Sequence, residues 1–328
     1  MKKAVLIMAV SVMLLLSACG SGGSVRKVVF TTGFSNKEVF RIEDMPCSLS
    51  EAMVYLVNTQ KGYERSFGPE IWQVKTDDGT VEERLKESVL AKIAQIKAMN
   101  LLAAESGIVL EEEEILKTQE AAEEYYSSLS EADIAAMNNV TQKEIENIYA
   151  QQALADKLYD SIIKDINPEV SDDEARIITV AQIFTKDLDK ARRAQTLIYE
   201  GNSFEDVATL CNEADEGTIS FGKGERDIEF ENAAFNLRNE EVSGIIESGD
   251  GYVILKCIST FNRDETEENK VRIVEQRKKE AFGAKYDDFV ASLTKELNTK
   301  LWESVTLVDD ENVTTTSLLE VYNKYFGD

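Results

Sequence analysis

Hydrophobic periodicity changes twice along this chain, and the two changes constrain its architecture. Apolar residues recur at steps of three or four from Val81 through Leu85, Val89, Ile93, Ile96 and Met99 to Leu102. That spacing gathers side chains on one face of an α-helix. Residues 110–128 and 141–166 read as two further helices, the second carrying Ile145, Ile148, Tyr149, Leu154 and Leu158. From 176 to 259 the texture differs: β-rich runs at 177–184 and 251–258 flank short helical stretches and a glycine-punctuated segment at 217–224. After Asn262 the helical spacing returns, from Val271 to Leu297. The order β-α-α-β-α-β predicts a few-stranded α+β module. The fold class expected is therefore α+β: a mostly helical body made by N- and C-terminal segments, with an α+β domain inserted.

Local signals place several boundaries. Thr80 followed by Glu83 predicts a capping box opening the helix that stops at Gly107. Ser48 or Ser50 is the expected N-cap of a helix running to about residue 60. The acidic run 111–114 reads as a solvated helix start, favourable against the helix dipole. The segment 305–308 is β-like, and 318–326 is amphipathic.

The N-terminus carries an address. Lys2 and Lys3 precede an apolar stretch, 4–16, too short to span a bilayer as a stable helix. Leu16-Ser17-Ala18-Cys19-Gly20 then looks like a lipobox, with Cys19 as the lipidation site and a Gly/Ser-rich tether behind it. The expected organisation is a signal peptide at 1–18, lipidated Cys and tether at 19–26, an N-terminal helical segment at 27–170, the α+β domain at 171–262, a C-terminal helix completing the body at 263–303, and a tail at 304–328. This places the protein outside the cytoplasm, held on a bacterial membrane by its lipid.

Composition removes many chemistries. The chain has no histidine, so Ser-His and Cys-His nucleophile pairs, His-ligated zinc and imidazole acid/base catalysis are all excluded. A net charge of −25 disfavours nucleic acid and anionic headgroups as partners. It suits solubility, or cationic and partly unfolded partners. Beyond Cys19, the cysteines at 47, 211 and 257 are odd in number and lack metal-site spacing. Cys257 reads as a buried core thiol; a Cys211–Cys257 bridge is the less favoured reading. Gly222-Lys223-Gly224 lacks phosphate-loop spacing, and no metal or cofactor is expected.

Several ordered motifs in 176–259 carry a resemblance. Val180-Ala181-Gln182-Ile183-Phe184 stands for an A-S-H-I-L strand, and Gly201-Asn202-Ser203-Phe204 for G-x-x-F. Gly217-Thr218-Ile219-Ser220-Phe221 echoes G-D-L-G-x-F. Phe230-Glu231-Asn232-Ala233-Ala234-Phe235-Asn236-Leu237 matches F-E-x-A-A-F-x-L in full. Glu240-Glu241-Val242-Ser243 follows G-E-V-S without its Gly, and Gly251-Tyr252-Val253-Ile254-Leu255-Lys256 closes as G-Y-H-I-I-K. The segment resembles the parvulin-type (PpiC-like) peptidyl-prolyl isomerase domain. With the lipobox and flanking helices, the chain is similar to the PrsA/SurA-type extracytoplasmic foldases, whose N-terminal chaperone helix 85–107 also resembles. That resemblance implies a SurA-N-like body around the inserted domain.

The resemblance assigns roles and exposes departures. Gln182 and Val253 stand where the family has its strand histidines. The family's acidic or Cys position falls near Glu213-Ala214. Ile219 and Phe230 hold apolar pocket positions, and Arg226 replaces a pocket Met. Gln182 and Phe230 are thus the candidate catalytic residues, and Ile219, Arg226 and Phe230 the candidate substrate-binding residues. The implied function is a foldase or chaperone for unfolded or partly folded secreted proteins, with weak or absent isomerase activity. An active isomerase with a His-free pocket and a non-catalytic binding lipoprotein that keeps only the fold remain as alternatives, and homodimerisation is left open.

Overall fold

The computed structural model describes residues 33–76 and 79–327. The expected signal peptide at 1–18, Cys19 and the expected tether lie outside the described residues. Chain contacts define two compact units, one holding the described residues to Ala155 and from Ser292, the other Asp156–Ala291.

The first unit opens with strands β1 (Glu38–Ile42) and β2 (Met45–Ser48), then helix α1 (Leu49–Phe67). Ser48, not Ser50, caps α1 by accepting from the Glu51 N–H at 3.1 Å. The helix runs past residue 60 because nothing breaks it until Gly68, which adopts φ +81° ahead of Pro69. A small ladder of β3 (Lys75–Thr76) and β4 (Gly79–Thr80) leads into α2 (Val81–Glu105). The Thr80–Glu83 capping box is formed, and Leu85, Val89, Ile93 and Ile96 are buried as their spacing predicts. Helix α3 (Glu112–Ser127) starts inside the acidic run. A short α4 (Glu131–Ala136) follows, opened by a Ser130–Asp133 capping box. Helix α5 (Gln142–Ile163) then carries the chain out of this unit.

The second unit contains α6 (Asp172–Ala175), β5 (Ile178–Thr185), α7 (Leu188–Tyr199), α8 (Phe204–Cys211), β6 (Thr218–Phe221), α9 (Ile228–Asn236), β7 (Ile246–Ser248), β8 (Gly251–Ser259) and α10 (Arg263–Ser292). Its antiparallel sheet has the order β6-β5-β8-β7. The expected β-α-α-β-α-β order is present, with β7 as an added short strand. Alternation along β5 sends Ile178 and Val180 to one core and Ile183 to another, the latter with Ala194 of α7 and Phe204 and Val207 of α8. Gly251 opens β8 because a Cβ there would lie 2.6 Å from the Phe184 ring and 2.7 Å from the Thr185 carbonyl oxygen.

The C-terminal boundaries differ from the expected ones. Residues 263–291 belong to the second unit rather than completing the helical body. The cations of α10 bind that unit's acids: Lys270 to Asp172 at 2.5 Å, Arg272 to Glu225 at 2.5 Å and Arg277 to Glu174 at 2.6 Å. Phe282 packs on Tyr159, ring centroids 5.5 Å apart. The helix ends at Ser292, and Leu297, expected on it, lies instead in strand β9 (Lys295–Leu297). This strand pairs with β1 in the register Phe40↔Leu297 and Ile42↔Lys295, completing a three-stranded sheet from opposite ends of the chain.

Residues 304–327 are no loose tail. After α11 (Thr299–Glu303) the chain crosses the first unit to α12 (Leu318–Phe326) without forming the β-like 305–308 strand. Gln60 explains why: its side-chain amide donates to the Val308 carbonyl at 2.8 Å and accepts from the Val308 N–H at 2.9 Å. Further on, the buried Asn58 amide donates to the Tyr125 hydroxyl at 2.6 Å and accepts from the Thr315 hydroxyl at 3.3 Å. Thr315 has spent its one proton, so Tyr125 donates to it across 3.2 Å, closing a ring of three hydrogen bonds. Burial pushes the Tyr125 hydroxyl up to about 12, the hydrogen bonds opposing the shift. Asp133 accepts from the backbone N–H groups of Thr314 and Thr315 at 2.8 and 3.1 Å.

Candidate functional site

The residues singled out in the second unit fall on one face of its sheet and the helix that covers it. Register places Gln182 opposite Leu255 and Phe184 opposite Val253, so Gln182 and Val253 are diagonal neighbours on adjacent strands. Val180 pairs with Ile219 and Ile178 with Phe221 across β5 and β6. These alternating positions share a single apolar cluster with Phe230 of α9. Val253 is 1% exposed, Phe230 5% and Ile219 7%: all three pack into the cluster rather than standing open to solvent.

Gln182 behaves differently. It is half-buried, and its side-chain amide donates to the Glu216 carbonyl at 2.8 Å while its backbone N–H donates to the Gly217 carbonyl at 2.9 Å. Both bonds hold the loop before β6. Arg226 is exposed, with its guanidinium 5.8 Å from the Phe221 ring centroid. An outward-turned guanidinium keeps its hydration and avoids the desolvation that a cation inside an apolar pocket would carry. The structure thus brings Ile219 and Phe230 together, seats Gln182 beside them with its amide engaged, and leaves Arg226 on the rim. Cys19 lies outside the described residues.

Phe221 organises this face and was not singled out from the sequence. Its ring meets Phe230 at 5.4 Å and Phe235 at 5.8 Å, both edge-to-face. The alternation exposed-buried-exposed-buried over Thr218-Ile219-Ser220-Phe221 carried the signal. Phe235 is partly buried and carries the Arg176 guanidinium 4.8 Å from its ring centroid. Helix α9 starts at Asp227, whose carboxylate accepts from the Phe230 N–H at 3.0 Å and from the Ser248 hydroxyl of β7.

The loop after α8 is tied down by Asn212 and Glu213. Asn212 accepts from the Phe184 N–H at 2.9 Å, and Glu213 from the Lys186 N–H at 3.0 Å and the Lys190 ammonium at 2.5 Å. The Lys190 hydrogen bond, followed by the Lys186 N–H, holds the Glu213 carboxyl down at about 2. Its folded value lies below the ordinary 4.5, so its contribution to stability is present above pH 4.5 and fades as pH falls toward 2. A carboxyl-carbon NMR titration is expected to place the Glu213 midpoint near 2; a midpoint near 4.5 contradicts the pairing with Lys190.

One backbone feature marks a sequence departure. Glu240, which stands where the resembled motif has Gly, keeps the left-handed conformation at φ +67°. That geometry costs a non-glycine residue roughly 1–2 kcal/mol. The Lys256 ammonium pairs with the Glu240 carboxylate at 3.0 Å and with that of Glu205 at 2.8 Å. The thiols of Cys47, Cys211 and Cys257 are all free, so the Cys211–Cys257 bridge is not formed. Among the described residues, no group of three or more His, Cys, Asp or Glu side chains could hold a metal ion, and no helix is long and apolar enough to cross a membrane.

Comparison with known proteins gives this arrangement its class. Residues 165–267 match the PPIC-type PPIASE domain family, spanning the whole sheet and its helices. The second unit therefore carries a PPIC-type peptidyl-prolyl isomerase domain. The wider chain is 25% identical over 245 residues to foldase protein PrsA 1 of Listeria monocytogenes, covering 68% of this chain and 80% of that one. It is 25% identical over 264 residues to foldase protein PrsA 1 of Bacillus cereus, covering 78% and 76%. A crystal structure of peptidylprolyl isomerase (PrsA) from Bacillus cereus aligns with a TM-score of 0.38 at 18% identity, over 76% of this chain and 97% of that one. Domain and relatives together support a PrsA-type parvulin foldase.

Proposed function

We propose that this protein is a lipid-anchored extracytoplasmic foldase that binds unfolded or partly folded secreted proteins, and that its PPIC-type domain is a weak or inactive prolyl isomerase. The foldase relatives and the lipobox-like segment ending at Cys19 support the first part. The observation that carries the second is that Gln182 and Val253, diagonal neighbours on adjacent strands, stand at the two positions where the resembled family has histidines.

Prolyl isomerisation needs no nucleophile. The enzyme must grip the proline and stabilise a twisted amide on the way over a barrier of about 18–20 kcal/mol. Val253 offers no hydrogen bond and is buried, while the Gln182 amide already donates to Glu216. Ile219 and Phe230 retain apolar surface on which a proline ring would rest, but they are occupied in the core of the domain. Arg226 would meet a client from the rim. What remains is a scaffold better suited to holding a chain than to turning a peptide bond.

The test is suppression of aggregation. The full chain at a few-fold molar excess is expected to reduce light scattering from a thermally denatured secreted enzyme, whether or not that enzyme contains a rate-limiting proline. Scattering unaffected at any ratio would favour a lipoprotein that has kept only the fold.

A further inference from the structure

Away from the PPIC-type domain, the first unit holds a cavity of about 540 Å³ between β2, α1, α2 and α5. Its charged lining comprises Lys37, Glu38, Asp44, Glu51, Lys97 and Glu144. Most of these charges are answered from within. Lys97, 1% exposed, is paired with Glu51 at 2.9 Å and donates to Gln151 at 3.1 Å. Glu38 takes a two-pronged contact from Arg41 at 2.7 and 2.9 Å. Glu144 accepts from the Thr141 N–H at 2.8 Å and from the Ser50 hydroxyl; burial pushes its carboxyl up, but these hydrogen bonds and the nearby Lys37 ammonium outweigh that and hold it low.

Lys37 is exposed and makes no close ion pair with the described residues, and among the lining carboxylates Asp44 is the exception. It is exposed on the turn between β1 and β2, lines the cavity, and makes no hydrogen bond or ion pair with any of the described residues. Beside it the wall is apolar, formed by Met45, Pro46 and Ile148. A low-dielectric recess with an unanswered carboxylate at its entrance focuses its field on cations. An apolar wall next to such a carboxylate fits a side chain that is hydrocarbon along its stem and charged at its end.

We infer that this cavity is a client subsite selective for a Lys or Arg side chain in an extended, unfolded segment. The stem would lie along Met45, Pro46 and Ile148 and the cation would meet Asp44. The inference rests on the foldase reading and adds to it a charge preference located in the helical unit. It agrees with the overall charge of −25, which repels acidic segments throughout.

Binding of three labelled, unstructured peptides to the full chain, followed by fluorescence anisotropy, tests it. The peptides share length and apolar content and differ in carrying Arg, Ser or Glu at the same positions. The Arg peptide is expected to bind about tenfold more tightly than the Ser peptide at low salt, with the gap narrowing as salt rises. Asp44→Lys should weaken the Arg peptide about five- to tenfold and leave the Ser peptide unchanged, with Asp44→Asn intermediate. Equal binding of the Arg and Ser peptides, or an Asp44→Lys variant that keeps the preference, overturns the subsite and leaves the foldase reading standing. Failure of all three peptides to bind removes both.

Discussion

Asn58→Ala is expected to lower the stability of the first unit by about 3 kcal/mol, far more than the loss of one side-chain hydrogen bond. The asparagine closes a buried ring with Tyr125 and Thr315 and also accepts from the Leu318 N–H at 3.2 Å. Removing it strands several buried groups at once, each costing roughly 1–3 kcal/mol when left unsatisfied, with entering water recovering part of the loss. Both tryptophans, Trp72 and Trp302, lie in this unit, so the urea midpoint of tryptophan fluorescence reads it selectively. Ending the chain after Ser304 should have a larger effect still, because it removes the partners of Asn58, Gln60 and Asp133 together. A midpoint unchanged by either alteration would contradict the role given to residues 304–327.

Phe221→Ala should cost the second unit about 3–5 kcal/mol, the usual range for deleting a buried aromatic ring. Phe221 is 1% exposed and is the ring on which Phe230 and Phe235 both rest. Its loss opens a cavity between β6 and α9 that neighbouring Ile219 and Ala234 are too small to fill. Backbone amide exchange is expected to rise across β5, β6 and α9 while tryptophan fluorescence stays native. Exchange rates unchanged on these strands would mean that the aromatic cluster is not what holds the helix on the sheet.

The contrast between these two positions shows what the sequence made legible. The inserted module was readable because its signals are local or ordered: strand alternation, a helix motif from Phe230 to Leu237, and glycines at turns. Thr80 and Glu83 likewise announce their helix within four residues. The C-terminal architecture was not readable, since its determinants are non-local. Leu297 continues a helical spacing, yet it ends in a strand because β1, more than 250 residues earlier, offers it an open edge. The β-like run 305–308 is overridden by Gln60, and residues 309–316, which have little pattern of their own, take their path from Asn58 and Asp133. Within the candidate site, sequence marked Gln182, Ile219, Arg226 and Phe230 but could not show that Ile219 and Phe230 are packed in the core and that the Gln182 amide is engaged.

A parvulin-like domain lacking both imidazoles is expected to have lost most of its isomerase activity. Cis-to-trans conversion of a short proline peptide, measured with micromolar full chain, tests this most directly. The rate is expected to stay close to the uncatalysed value, which relaxes over tens to hundreds of seconds at 25 °C. Robust turnover by the unmodified chain, lost in Phe230→Ala while amide exchange shows β5, β6 and β8 still protected, would contradict this and make the protein an active isomerase.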